Sequence, residues 1–115
     1  MNDTMAVNEL ADLFSILGNP DRLRILFELR SGPRDVASLV TALNVSQSRT
    51  SQHLGLLKAH HLVRSSREGR RVYYSLKASQ LPGWVLEGFS HLATTQTHGV
   101  PLQESIDAFQ ARYSG

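Results

Sequence analysis

Apolar side chains recur at helical spacing near the start of the chain, and this pattern predicts two amphipathic helices. The first covers about residues 5–17 and ends at Gly18. The second begins after Asn19, a good N-cap residue, with Pro20 at the first helical position, where a missing N–H costs nothing. The breaker at 31–33 ends it. The apolar positions are Leu10, Leu13, Phe14 and Leu17, then Leu23, Ile25, Leu26 and Phe27.

Two more helices are predicted next, joined by only three residues. Asp35 is placed to cap a short helix that runs through Leu43, and Asn44 suits the left-handed conformation at its end. Ser46 then caps a helix over about 47–60. Its expected core face consists of Thr50, Leu54, Leu57 and His61. So short a connection predicts a helix-turn-helix, whose second helix can enter a DNA major groove.

The pattern changes from helical to strand-like at Leu62. Segments 62–67 and 71–76 contain β-branched and aromatic residues and flank 68–70, which centres on a glycine. This arrangement is typical of a β-hairpin. The fold class expected from the pattern is therefore mainly α with a small β-hairpin.

The last third of the chain is predicted to be helical again. Residues 81–83 form a break, after which a helix is expected to fade by about Thr97. Pro101 can open a final helix. The apolar positions of the two helices are Trp84, Val85, Leu86, Phe89 and Leu92, then Ile106, Phe109 and Tyr113.

Composition limits the class of protein. The chain has 115 residues, of which 41% are hydrophobic, a size suited to one hydrophobic core. It contains no cysteine, which excludes disulfides, thiolate metal sites and cysteine nucleophiles. No apolar run is long enough for a membrane span and the N-terminus does not resemble a secretory signal, so we expect a cytoplasmic protein without a membrane partner.

The charge is unevenly distributed along the chain. Residues 46–80 carry seven basic side chains and one acidic one, whereas the segments before and after each have a net charge of −2. A basic segment of this kind favours a polyanionic partner, because each neutralised phosphate releases a condensed counterion. Since the basic segment includes the predicted hairpin and the helix before it, double-stranded DNA is the expected partner.

Three segments, in order, resemble the ArsR/SmtB family of winged-helix transcriptional repressors. They are LGNPDRLRIL at 17–26, VSQSRTSQHLGLL at 45–57 and EGRRVYYSL at 68–76, and the resemblance extends over about residues 8–95. It implies a winged helix-turn-helix at residues 5–98, with residues 99–115 as a C-terminal helical extension. It also implies a homodimer, formed through the first helix and the helix after the hairpin, that represses a promoter and releases it on a signal. Two-fold symmetry would require an inverted-repeat operator.

The helical wheel of segment 47–60 indicates which side chains face DNA. Ser48 and Gln52 lie opposite the core face, and Arg49 and Ser51 flank them. Gln52 is the best candidate for reading a base, because its amide can pair with adenine through two hydrogen bonds. The expected DNA-contacting residues are Gln47, Ser48, Arg49, Ser51 and Gln52 in the helix and Arg67, Arg70 and Arg71 in the hairpin.

Three nearby side chains allow two interpretations. His53 lies beside the core face, so it is either a structural histidine, which we favour, or a phosphate donor. Lys58 and Arg64 either contact the DNA backbone or are solvated.

Members of the ArsR/SmtB family often bind metals, but this chain lacks most of the side chains that serve as metal ligands in that family. The thiolate position corresponds to 35–37, which contains no cysteine. The resemblance places the other common site at Ala78, Gln80, His91 and Thr94. Only His91 is a good zinc ligand, so we expect neither a metal nor another cofactor, and the effector stays unknown.

The main interpretation is a repressor that has no metal site, and two alternatives to it remain. One is a metal-responsive repressor with a non-standard site, built from His60 and His61 with an acid such as Glu87 or Glu104. The other is a winged-helix module that binds proteins, although its exposed face should be apolar or acidic, and here it is polar with arginines beside it. Catalytic motifs are absent from the sequence, so an enzyme is not expected.

Overall fold

The computed structural model describes residues 2–95 and 99–113. In chain order the elements are α1 (Thr4–Leu17), α2 (Pro20–Glu28), a 3-10 turn (Leu29–Ser31), β1 (Arg34–Asp35), α3 (Val36–Leu43), α4 (Gln47–Ala59), β2 (Val63–Glu68), β3 (Arg71–Leu76), α5 (Leu81–Leu86), α6 (Gly88–Thr95) and α7 (Gly99–Tyr113). The chain divides into two compact units, Met1–Ala78 and Ser79–Gly115.

Side-chain caps define the starts of α2, α3 and α4, as the sequence predicts. Asn19 accepts hydrogen bonds from the backbone N–H groups of two residues in the first turn of α2. Asp35 accepts one from Ser38 at 2.8 Å, and Ser46 accepts one from Arg49 at 3.2 Å. These contacts satisfy N–H groups that have no partner within the helix. Asn44 ends α3 in the left-handed conformation, with φ 54°, which turns the chain towards α4.

The strands form an antiparallel sheet in the order β1-β3-β2. Strands β2 and β3 pair along their whole length and are joined by Gly69 and Arg70, with Gly69 at a φ of 64°. We call this hairpin, residues 63–76, the wing. Its presence confirms the predicted hairpin. Strand β1 was not predicted, because two residues have no periodicity of their own and β1 exists only through its pairing with β3.

The core of the first unit lies between the end of α1, the helices α2, α3 and α4, and the base of the wing. Its buried apolar side chains are Ile16, Leu17, Ile25, Leu26, Phe27, Leu29, Leu39, Leu54, Leu57 and Val63. Thr50 is fully buried with them, as the helical wheel predicts.

Two residues near this core depart from the sequence interpretation. His61 is exposed rather than part of the core face, because α4 ends at Ala59 and His61, with a φ of 62°, turns the chain towards β2. Leu17, which the helical spacing groups with Leu10 and Phe14, is buried in the core, whereas those two side chains are more than half exposed.

The helices of the second unit begin and end differently from the prediction. Residues 81–83 were expected to be a break, but they form the first turn of α5, where Pro82 is tolerated because its missing N–H would be unpaired there. The interruption lies instead at Glu87, between α5 and α6. The predicted end near Thr97 falls outside the described residues. Helix α7 begins two residues before Pro101.

Aromatic contacts connect α6 and α7 within this unit. The Phe89 and Phe109 rings meet edge to face with centroids 5.4 Å apart, and Tyr113 lies 4.8 Å from Phe109. Ile106 of α7 is also buried. Such contacts explain why the segment after residue 98 is helical here, since an isolated helix of this length is only marginally stable in water. In the described part of the chain, helices with the length and hydropathy needed to cross a bilayer are absent.

Candidate nucleic-acid interface

Helix α4 has one buried and one exposed side. Thr50, Leu54 and Leu57 are fully buried against the core, which fixes the rotation of the helix about its axis. The five predicted DNA-contacting residues of α4 are all exposed: Gln47, Ser48, Arg49, Ser51 and Gln52. The structure therefore brings these side chains together on one accessible surface. Their contact with DNA stays a prediction.

The same surface contains a residue that sequence reasoning missed. Leu56 is 40% exposed and is the large apolar side chain that α4 presents to solvent. At about 100° per residue it lies about 40° from Gln52, so the helical wheel already contained the signal. Next to it, a Cβ atom added at Gly55 would meet nothing within 4 Å, so this stretch of α4 is open to solvent. An exposed apolar side chain there suits contact with a thymine methyl group.

Arg49 is not entirely free on this surface. Its Nη2 atom lies 3.8 Å from Oδ2 of Asp21 in the first turn of α2, and the Arg49 side chain remains 67% exposed. The ion pair thus directs the guanidinium to one side of α4 while leaving most of it open to solvent.

His53 lies between two charged residues of α2. Its Nδ1 atom is 3.4 Å from Nη1 of Arg22, and its Nε2 atom is 3.6 Å from Oδ2 of Asp21. Only 12% of the side chain is exposed. The geometry supports the favoured interpretation, in which His53 helps to dock α4 on α2.

The wing presents its arginines in two different ways. Arg67 and Arg70 are exposed, and neither forms an ion pair with the described residues. Arg71, in contrast, donates a hydrogen bond from Nη1 to Oδ2 of Asp35 at 3.1 Å, although its side chain is 70% exposed. Because Asp35 also caps α3, this contact connects the base of the wing to the helix-turn-helix.

Of the two other candidate contacts, Lys58 is engaged within the fold. Its Nζ atom donates to Oγ of Ser65 at 2.8 Å, which ties α4 to β2. Arg64 is exposed on the same strand.

The positions at which the family resemblance implies metal ligands lie in the turn before α5 and on α6. Ala78 and Gln80 are exposed in the turn before α5, and His91 lies on α6. Residues 2–95 and 99–113 contain no group of three or more histidine, cysteine, aspartate or glutamate side chains able to hold a metal ion. His98 lies outside the described residues.

A protein-family model matches the segment of the chain that contains α4. The model for "Bacterial regulatory protein, arsR family" covers residues 19–65, from the cap of α2 to the wing. The regulator NmtR of Mycobacterium tuberculosis is 35% identical over 89 residues, which are 77% of this chain and 74% of that protein. The chain belongs to the arsR family. The resemblance to this family inferred from the sequence is thereby confirmed.

Two other relatives match this chain over only part of their own length. A "Transcriptional repressor SmtB homolog" of Synechocystis is 37% identical over 73% of this chain and 64% of its own length. The repressor SmtB of M. tuberculosis is 41% identical over 70% of this chain and 59% of its own length. The chain thus matches about three fifths of these two repressors.

Solved structures show the same architecture. The homodimeric winged helix-turn-helix DNA-binding domain of Mb0332 from Mycobacterium bovis superposes with a TM-score of 0.70 at 28% identity, over 84% of this chain and 92% of that one. NolR of Sinorhizobium fredii gives a TM-score of 0.69 at 31% identity, over 78% and 89%. The fold is a winged helix-turn-helix.

Proposed function

We propose that this protein is a transcriptional repressor that binds double-stranded DNA as a homodimer, with α4 in the major groove and the wing along the phosphates. The observation that carries the proposal is the joint exposure of Gln52 and its neighbours on α4 and of Arg67 and Arg70 on the wing. A protein-binding module would present an apolar or acidic face here. This face is polar and basic, which suits a nucleic acid.

In this proposal the two elements have different tasks. Gln52 reads a base edge, since amides and bases exchange paired hydrogen bonds in the major groove. Arg67 and Arg70 bind phosphates, which sets the register and the salt dependence but not the sequence preference. Such binding involves no chemical step, so the proposed protein is a cytoplasmic regulator rather than an enzyme.

A homodimer accounts for apolar side chains that the structure leaves exposed. Leu10 and Phe14 on α1 are 51% and 53% exposed, and Trp84 on α5 and Leu92 on α6 are 44% and 38% exposed. Exposed apolar surface on a small domain is typical of an interface. The Mb0332 relative is homodimeric, which supports the same assembly here. Two-fold symmetry then requires an inverted-repeat operator.

The experiment that tests the function is a selection of duplexes from a random library by the purified protein, followed by binding measurements at several salt concentrations. A regulator enriches an inverted repeat and binds it with an affinity that falls steeply as salt increases. Arg67→Ala and Arg70→Ala should weaken binding to selected and shuffled duplexes alike. A protein that enriches nothing and binds duplex DNA weakly and without salt dependence would refute the proposal.

A further inference from the structure

The carboxylate of Asp21 faces α4 from the start of α2, and the proposed DNA contacts do not include it. Its Oδ2 atom lies 3.8 Å from Nη2 of Arg49 and 3.6 Å from Nε2 of His53. The Asp21 side chain is 24% exposed and lies beside Arg49, so it is at the edge of the surface proposed to meet DNA. A negative charge at that edge is unfavourable for any polyanion.

The packing around Asp21 fixes where this charge lies. The first turn of α2 is held by the Asn19 cap, which accepts hydrogen bonds from the N–H groups of Asp21 and Arg22. The Arg22 guanidinium donates to the carbonyl oxygens of Ile16 and Ser15 on α1. Because aspartate has a short side chain, its carboxylate can move little once the backbone is held in this way.

Arg49, in contrast, has a long and largely exposed side chain. An exposed ion pair contributes little to the free energy of unfolding, so the main effect of the Asp21–Arg49 pair is on the position and availability of the guanidinium. To reach a phosphate elsewhere, the guanidinium would have to leave Asp21 and expose the carboxylate to the DNA. A base contact made from its present position would carry no such cost.

We propose that Asp21 is a specificity-determining residue that keeps Arg49 on one side of α4 and thereby disfavours binding to random DNA. The inference rests on the proposed DNA-binding function. Asp21 acts through Arg49 and is therefore a positioning residue. Its role is to increase the ratio of operator affinity to random-DNA affinity rather than to increase affinity itself.

The decisive variant is Asp21→Asn, which removes the charge and keeps the size of the side chain. It leaves the α2 cap intact, because Asn19 and not Asp21 provides it. We expect its affinity for a shuffled duplex to rise about 3- to 10-fold at 0.1 M salt, with a salt slope steeper by about one, as for one additional phosphate contact. Its affinity for the duplex that the wild-type protein selects should change less, so the ratio falls. Asp21→Glu, which keeps the charge, should preserve the ratio.

A double-mutant comparison separates the effect on Arg49 from a general change in charge. In an Arg49→Ala background, Asp21→Asn should change the affinity for the shuffled duplex by less than about 2-fold.

Asp3→Asn is a matched control with the same charge change; Asp3 precedes α1, and its side chain makes no capping hydrogen bond. It should behave as the wild type does. Thermal unfolding of each variant verifies that the fold is retained.

Two results would overturn the inference. One is an unchanged affinity ratio in Asp21→Asn, and the other is an equal gain in the Arg49→Ala background, which would mean that Arg49 is not involved. Should Asp21→Asn fail to fold, Asp21→Ser provides the same comparison. If the wild-type protein selects no duplex, the proposed function itself fails. If the wild-type protein selects a duplex but Asp21→Asn keeps the same ratio of operator affinity to random-DNA affinity, only the role of Asp21 is refuted.

Discussion

Gln52 lies on the exposed side of α4, where its amide can both donate and accept a hydrogen bond at a base edge. The buried Thr50 and Leu54 on the opposite side fix its direction. The proposed role of Gln52 therefore depends on other residues of α4 being buried.

We expect Gln52→Ala to lower the affinity for the selected duplex by about 1–3 kcal/mol and to relax the preference at one base position. Binding to a shuffled duplex should hardly change, because the proposed contact of the amide is with a base and not with a phosphate. Titrations of duplexes substituted at each position would show the effect. Wild-type affinity in Gln52→Ala would mean that the reading face is assigned incorrectly.

A second prediction at this scale concerns the stability of α2. The Asn19 side chain accepts two backbone hydrogen bonds, at 2.9 and 3.1 Å, so Asn19→Ala should lower the free energy of unfolding by about 0.5–2 kcal/mol. Urea unfolding measures the difference. Asn8→Ala, at an exposed position within α1, is the control and should not lower the free energy of unfolding, because alanine has the higher helix propensity. Equal stabilities of the two variants would contradict the capping role.

At the scale of the element, the wing carries arginines of the proposed DNA contact and is also a part of the fold. Strand β3 pairs with β2 on one side and β1 on the other, so its position depends on the segment that begins α3. The hydrogen bond from Arg71 to Asp35 strengthens this connection, whereas Arg70 at the tip has no comparable anchor among the described residues.

We expect Arg70→Ala and Arg71→Ala to weaken binding to selected and shuffled duplexes alike, with the salt slope reduced by about one for each phosphate that the variant no longer neutralises. Arg71→Ala should in addition lower the free energy of unfolding by up to about 1 kcal/mol, the usual range for an exposed ion pair. Salt titrations and urea unfolding on the same samples distinguish the two variants. A lower stability in Arg70→Ala but not in Arg71→Ala would reverse this assignment.

At the scale of the whole molecule, the exposed apolar residues of α1 predict association between two copies. We expect a dimer at micromolar concentration in sedimentation experiments, and Leu10→Lys should shift it towards monomer, because a charge would be buried at the interface. Asn8→Lys is the matched control, since Asn8 lies about 160° away from Leu10 around the helix. A wild-type monomer, or equal association of both variants, would refute the proposed interface.

Release from DNA should not follow the zinc or arsenite routes of the family. Arsenite needs thiolates and the chain has no cysteine, and zinc near the wing would have His91 as its only good ligand among the implied positions. Adding zinc, nickel or arsenite to the protein–DNA complex should therefore leave it intact. Saturable release at micromolar free metal, reversed by a chelator, would refute this expectation, and His91→Ala would then locate the site.

The sequence alone determined the features that depend on neighbouring residues. Asn19, Asp35 and Ser46 each cap a helix through a partner two or three residues away, and Asn44 adopts its conformation for local steric reasons. The exposed face of α4 was predictable too, because the helical period and the buried Thr50, Leu54 and Leu57 fix it.

Only the tertiary structure decided the contacts between distant segments. Strand β1 exists because Asp35 pairs with Tyr73. Arg71 forms an ion pair with Asp35, and Arg49 forms one with Asp21. In each ion pair the two residues are far apart in the sequence. His61 was assigned to the core because the helical period was extended past the point where α4 ends. Periodicity reports which side of an element is buried, but the partners across the core depend on how the elements pack, which no local pattern contains.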